Sequence, residues 1–503
     1  MEILSAEQIR AWDEYTMQHE PIMSIDLMER AAASCHRWLE KNGYTGRSFA
    51  IYCGKGNNGG DGLALARMLS EAECSVTVFI LEFGFKGTDD FQINLARLHQ
   101  TSAEVRFIQG VDNFHPVAPG DVLIDALLGS GLNRKLEGVA AELVEYLNRS
   151  GNEIIAIDIP SGLFVSRSSK GNVVIQATHT LSFQCFKPAF LMPENALSVG
   201  EVHILDIGLH PGYLQQVSRE AELLDAGIVR AIFRPRPLFA HKGNFGHALL
   251  VAGSFGKMGA AVLGARACLR AGAGLLSCHV PGCGYPILQT TIPEAMVFVD
   301  TDDRIQTDFE GDPSEYAVVG VGPGIGMEGR TVEFLRELLR GCRKPMVLDA
   351  DALNILASSA GLWELVPPYS ILTPHPKEFE RLFGPSSDDY ARVSLALEEA
   401  RRRQCIVVLK GHYSYIAMPG GKGYFNSTGN AGMAKGGSGD VLTGILTGLL
   451  SQGYSPGEAA LLGVYLHGLA GDLAAATWSQ ESMLASDLIE HLGRAYEMVQ
   501  KAG

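Results

Sequence analysis

Positive charge is in short supply in this chain: 41 Lys and Arg stand against 56 Asp and Glu, a formal net charge of −15. No basic stripe or aromatic-interleaved basic run relieves that field, which repels a nucleic-acid backbone. No nucleic acid is expected as a partner. Single nucleotides stay open, because glycine-rich turns and helix N-termini bind phosphate without net positive charge. Cysteine is also sparse, nine residues scattered along the chain, and the closest pair, Cys278 and Cys283, lacks the CxxC spacing of a zinc or redox site. The thiols read as buried side chains in a reducing compartment. The N-terminus, MEILSAEQIR, has no basic segment leading into an apolar core, and Gly, Thr or charge interrupts the apolar stretches before membrane-spanning length. The expectation is a cytoplasmic chain with no membrane association.

What is present is material for large cores. A length of 503 residues exceeds one ordinary core and predicts two domains, and 46% apolar against 19% charged residues leaves no segment that must be disordered. Ser5 with Gln8 predicts a capping box, and Met28, Ala31, Ala32, Cys35, Trp38 and Leu39 recur at helical spacing. Short β-type runs then alternate with helical stretches at 49–53, 75–81, 122–124, 153–157 and 202–205. A second series follows at 247–251, 275–280, 317–321, 346–348, 371–373 and 406–409. This alternation predicts an α/β chain of two doubly wound three-layer α/β/α domains. Between the series, residues 221–240 hold RPRPLF and no glycine-rich motif, which puts the boundary near 220 and the domains at 1–220 and 225–503.

The segment CGKGNNGGDGLALAR ends a β-run and opens a helix, where a phosphate or dinucleotide meets a helix N-terminus. Its spacing is not the usual GxGxxG, because Asn57, Asn58 and Asp61 interleave with Gly54, Gly56, Gly59 and Gly60. Asp125 in LIDALLGSGLNRK, and Asp158 and Ser161 in AIDIPSGL, follow other β-runs and converge on the same sheet edge. Asn, Asp and Gly are ordinary turn formers, which explains any one of these segments alone. Three on one edge point to a site, and the oxygens of Asn58, Asp125 and Ser161 suit a hard cation rather than zinc.

GNNGGDG, DALLGSGL and DIPSGL, with the earlier SAEQIRAWDE and DLMERAA, resemble the epimerase domain of the NAD(P)H-hydrate repair family across essentially all of residues 1–220. The resemblance implies a Rossmann-like domain. In it, Asn57, Asn58, Gly59, Gly60, Asp61, Gly129, Ser130, Gly131, Leu132, Asn133, Arg134, Lys135 and Asp158 would contact the hydrated nicotinamide nucleotide. It likewise implies potassium bound by Asn58, Asp125 and Ser161. The hydroxylated carbon beside the ring nitrogen inverts through an opened or iminium form, and Asp158 is the expected proton carrier. Lys187 is a second candidate, although a lysine after a strand is more often a solvated surface residue.

The segment GNAGMAKGGSGDVLTGILTGLL carries the clearest signal in the chain. Gly436, Gly437 and Gly439 let backbone amides turn inward at the start of a helix predicted from Val441, an anion hole with Asp440 at its mouth. An isolated Ser-Gly-Asp would read as a helix cap. LKGHYS, LTPHPKEFERL and GVGPGIG add Lys410, His375, Glu378, Gly322 and Gly324 at further strand ends; alone, His375 is a structural histidine and Lys410 a surface charge. Asp349 and Asp351 in LDADALN read equally as ligands or helix caps.

HKGNFGHALLVAGSFGKMGAA, ARACLRAGAGLL, LDADALNILA, TPHPKEF and GNAGMAKGGSGDVLTG are similar to the ribokinase-like superfamily, and within it to ADP-dependent NAD(P)H-hydrate dehydratases, over residues 235–480. Carried over, Ala260, Gly324, His375 and Asp440 would touch the hydrate. Lys410, Gly411, His412, Tyr413, Ser414 and Gly439 would hold the adenine nucleotide. Lys377 stands where relatives often carry glycine. The resemblance implies ADP, with ATP as the alternative, together with Mg2+ and a homo-oligomer. Asp440 would deprotonate the hydrate hydroxyl during phosphoryl transfer, after which the ring nitrogen expels phosphate. Two rivals remain at this stage: an ATP-dependent kinase of a small alcohol, and a catalytically silent nucleotide-sensing scaffold.

Overall fold

Alternating apolar residues in the central strands supply opposite faces of each sheet with side chains for separate helical layers. In the computed structural model, which describes residues 2–501 apart from 83, 85, 220 and 360, the chain divides into two units. One is Met1–Arg219 with Asp388–Tyr390, and the other is Glu220–Ser387 with Ala391–Gly503.

The first unit holds seven strands: β1 Ser48–Cys53, β2 Ser75–Leu81, β3 Glu104–Ile108, β4 Val122–Ala126, β5 Ile154–Ile157, β6 His179–Phe183 and β7 Glu201–Leu205. They lie in the order β3-β2-β1-β4-β5-β6-β7, all parallel. In β1, Ile51 and Cys53 join one core while Ala50 and Tyr52 join the other, as the two-residue period of a strand requires. The order reverses between β1 and β4, which opens a crevice at the strand C-termini. The Ala6–His19 helix begins at the Ser5–Gln8 capping box, and the Ser24–Lys41 helix buries Met28, Ala31, Ala32, Cys35 and Leu39.

The second unit holds β8 Ala221–Leu224, β9 His247–Val251, β10 Leu275–Val280, β11 Met296–Val299, β12 Val318–Val321, β13 Val347–Leu348, β14 Ile371–Leu372, β15 Ile406–Leu409, β16 Tyr415–Ala417 and β17 Gly423–Asn426. Their order is β11-β10-β9-β12-β13-β14-β15-β16-β17-β8, with only β16 antiparallel to its neighbours. Leu249 and Val251 pack into one core, Ala248 and Leu250 into the other.

Two differences from the sequence reading have physical causes. Residues 221–224, taken with the connecting stretch, form β8 on the outer edge of the second sheet, where they bury Leu223 and Leu224. The Pro456–Trp478 helix is long and apolar enough to cross a membrane, contrary to the expectation that no stretch is, yet 67% of its apolar window is buried inside the protein. Its glycines do not interrupt it because they admit neighbours: a side chain at Gly463 would strike Leu446, and one at Gly468 would strike Thr428.

Candidate functional site

At the switch point of the first sheet, a cavity of about 720 Å³ gathers the strand-end segments. Asn57, Asn58, Asp61, Gly129, Ser130, Gly131, Leu132, Asn133, Arg134 and Asp158 line it. Gly59, Gly60 and Lys135, expected to touch substrate, are not in that lining. The first two are packing glycines: a Cβ on Gly59 would lie 1.8 Å from the Gly54 carbonyl oxygen, and one on Gly60 would lie 2.7 Å from Met28 Sδ. Lys135 is exposed.

Beneath the cavity, Asp125 lies inside β4 rather than after it. Its Oδ1 accepts from Ser161 Oγ at 2.6 Å and its Oδ2 from the Ser161 amide at 2.7 Å. Burial pushes the Asp125 carboxyl up to about 6, against the Ser161 hydrogen bonds that favour its charge. Asn58 is 8% exposed, and neither its Oδ1 nor its Nδ2 has a hydrogen-bond partner. A buried amide oxygen without a donor is costly, and a hard monovalent cation supplies what that oxygen lacks. The donor set of Asn58, Asp125 and Ser161 thus fits potassium chemically.

Asp158 sits at φ +68°, an uncommon conformation for a residue with a side chain. Its Oδ2 accepts from the Ser130 amide at 2.8 Å, and its Oδ1 lies 2.9 Å from Lys187 Nζ. Lys187 is fully buried rather than a surface residue, and it also donates to Ser182 Oγ at 2.5 Å. Burial opposes the charge on Asp158, but Lys187 and the Ser130 amide outweigh it and hold the carboxyl below its usual range. Asp13, in the lining and given no role by the sequence reading, behaves oppositely. Burial first, and the charge of Asp158 next, push it up to about 7, only partly offset by Lys187. Asp61, partly buried in the same lining, is raised well above the ordinary carboxylate range by burial first and by the charges of Asp158 and Asp13 next. Lys187 thus acts on both Asp158, which it contacts, and Asp13, which it only partly relieves. Asp13 lay in plain view within SAEQIRAWDE, but its role depends on a fold that turns the first helix toward the sheet edge.

In the second unit the glycine turn precedes the Ser438–Ser451 helix, which starts three residues earlier than predicted, with Gly437 as its cap at φ +96°. Asp440 is in the first turn and caps nothing. Burial, and then the charge of Asp349, push its carboxyl up to about 6, with Lys410 opposing. Asp349 is 1% exposed; its Oδ1 accepts from Lys410 Nζ at 2.9 Å and its Oδ2 from Thr443 Oγ1 at 2.8 Å. Asp351 Oδ2 accepts from the Gly326 amide at 2.9 Å. Asp349 occupies the N-cap position of the Ala350–Ser358 helix, but its side chain makes no capping hydrogen bond there. Lys410 is half-buried rather than a surface charge, and its amide donates to the Pro374 carbonyl, joining LKGHYS to LTPHPKEF.

Among the remaining expected contacts, Gly411 and His412 are exposed, Tyr413 and Ser414 partly buried, and Ser414 Oγ bonds the Gly411 carbonyl. Gly324, at φ +67°, faces Ala260, whose Cβ would be 3.3 Å from a side chain there. A Cβ at Gly439 would lie 3.5 Å from Lys410 Nζ and 3.6 Å from Asp349 Oδ2, which brings these three segments together. His375 caps the Pro376–Phe383 helix through Nδ1 and forms a capping box with Glu378. Lys377 donates its amide to that Nδ1, an ordinary first helical turn. The sequence reading missed His467, whose Nε2 donates to the Ser438 carbonyl at 2.9 Å; burial pushes its pKa down to about 4 and keeps the ring neutral.

Two doubly wound α/β units, each with a carboxylate at a strand-end site, define a two-site α/β enzyme. The chain matches the NAD(P)H-hydrate dehydratase family over residues 248–494 and the YjeF-related N-terminus family over 24–189. It is 35% identical to a bifunctional NAD(P)H-hydrate repair enzyme of Moorella thermoacetica, covering 98% of this chain and 96% of that one. It is 32% identical to the counterpart in Escherichia coli, covering 97% and 93%. A ribokinase-like superfamily protein of Enterococcus faecalis is 27% identical, with a TM-score of 0.50, over 56% of this chain and 98% of that chain. The chain belongs to the family of bifunctional NAD(P)H-hydrate repair enzymes.

Proposed function

We propose that the first unit interconverts the R and S hydrates of NADH and NADPH, and that the second dehydrates the S form at the expense of ADP, with ATP as the alternative. The observation that carries this reading is a pair of strand-end sites, each with a carboxylate, Asp13 or Asp440, whose proton affinity is lifted toward neutrality.

In the first unit, Asp13 carries the proton, giving it to the departing hydroxyl and taking it back from the water that adds to the other face. Asp158, held ionised by Lys187, stabilises the positive charge that develops on the ring. This assignment moves the proton from Asp158, the sequence candidate, to the neighbour that can hold one. Asn58, Asp125 and Ser161 would hold potassium, which would supply positive charge at this site.

In the second unit, Asp440 takes the hydroxyl proton as that oxygen accepts a phosphoryl group. The amides at residues 436–439 receive the phosphate charge, with Lys410 beside them. The ring nitrogen then expels phosphate, and loss of the adjacent C–H proton restores the double bond. The carboxylates of Asp351 and Asp440 would offer oxygen donors to Mg2+, which would supply charge neutralisation at the phosphates. Nine free thiols, eight of them buried, suit a cytoplasmic setting.

The test is to incubate the purified chain with mixed hydrate epimers, Mg2+, potassium and ADP, ATP or no nucleotide, following reduced-nicotinamide absorbance. Full recovery of both epimers with nucleotide supports the reading. A stable phosphorylated product without recovered absorbance would identify a kinase, and recovery of one epimer alone would remove the first activity.

A further inference from the structure

The far ends of β6 and β7, away from the crevice, carry a side-chain cluster that the repair chemistry does not use. His179 opens β6, Glu201 opens β7, and His203 lies two residues further along β7. The strands are parallel with His179 opposite Glu201, so the two-residue period puts all three side chains on one face. His179 Nδ1 lies 3.1 Å from His203 Nε2, and the Glu201 carboxylate oxygens lie 3.8 Å from the former and 3.9 Å from the latter. All three ligand atoms fall within 4.8 Å of one another.

We propose that His179, His203 and Glu201 form a binding site for a divalent transition-metal ion of the zinc class, clamping the edge strand β7 to β6. Two imidazoles and a carboxylate are a ligand set that zinc accepts, leaving a fourth position for water. Zinc–nitrogen bonds of about 2.0–2.1 Å in a tetrahedral site put two nitrogens about 3.3 Å apart, close to the spacing already present. Glu201, 70% exposed, is free to swing onto the ion, whereas the imidazoles, 20% and 22% exposed, are held. Trp38 packs against both, its ring centroid 5.3 Å from His179 and 4.7 Å from His203. The other nitrogen of His179 faces Glu153 at 3.8 Å, and Glu153 is fixed by a 2.5 Å hydrogen bond from the Tyr44 hydroxyl. A carboxylate behind a ligating histidine orients the ring and selects its tautomer.

The site is distinct from the potassium donor set. The length of β6, about 13 Å at ~3.3 Å per residue, separates His179 from Phe183, which lines the cavity. The test uses the full chain, stripped with chelator and titrated with Zn2+ by calorimetry, with Co2+ as a spectroscopic probe. We expect one tight Zn2+ per chain and a cobalt spectrum of nitrogen and oxygen ligands without thiolate charge transfer. His203→Asn should weaken binding at least about tenfold. Glu201→Gln, at an exposed position that leaves folding intact, should weaken it too while epimerisation stays unchanged. Equal Zn2+ affinity in the wild type and Glu201→Gln together with His203→Asn, or a thiolate spectrum with cobalt, would overturn the site.

Discussion

Lys187 Nζ lies 2.9 Å from Asp158 Oδ1 with the lysine side chain entirely out of solvent. Removing one member of a buried pair strands the other, at a cost of about 3–5 kcal/mol. Lys187→Met should therefore destabilise the first unit by that order, read as faster hydrogen exchange across β5 and β6. Unchanged protection would mean that the pair contributes no stability.

Asp13→Asn should slow epimerisation by roughly 10²–10⁴-fold, the usual worth of a proton carrier, and leave dehydration of the S hydrate as it is. The wild-type epimerase pH profile should show a group titrating near 7 that the variant lacks. Stability moves the other way. Because burial raises the folded pKa of Asp13 from 3.8 to about 7, its proton stabilises the fold fully below pH ~4, and that contribution is lost as pH rises through 7. At pH 8 the asparagine variant should melt a few degrees above the wild type, a difference that shrinks toward pH 5; equal melting at both pH values would refute the burial argument.

Asp440→Asn keeps the packing but cannot take a proton, and should lower dehydration by at least about 10²-fold without altering epimerisation. Rapid recovery of absorbance by that variant would exclude Asp440 as the base.

Asp125→Ala and Asn58→Leu should each raise the potassium concentration that half-activates epimerisation. Asn58→Leu removes two buried polar atoms without partners, so it should also stabilise the potassium-free protein. A half-activation constant unmoved in both variants would remove potassium from this site.

The apolar, β-branched runs of the central parallel strands were legible because burial on both faces leaves little room for polar residues. The strands that escaped notice have other neighbours. Glu104 and Arg106 in β3 pair with each other on an exposed edge, while His179 and Thr180 put polar atoms into β6, whose partners are on other segments. Strand-end residues could be nominated from the motifs, since turn glycines and carboxylates mark parallel strand ends. Which carboxylate holds a proton could not be read. It depends on Lys187, 29 residues beyond Asp158 (187 − 158), folding back into the interior and neutralising Asp158 rather than Asp13.

The strand β8 sets a practical limit on dissecting the chain. It supplies the last ladder of the second sheet, pairing with β17, and Leu224 is fully buried beneath it. A fragment starting at residue 225 would leave the main-chain donors and acceptors of Gly423–Asn426 open along a sheet edge, a template for strand addition from another molecule. Such a fragment should self-associate on light scattering, whereas one that begins a few residues before Ala221 should stay monodisperse. Four residues that read as connecting chain therefore act as a guard against aggregation.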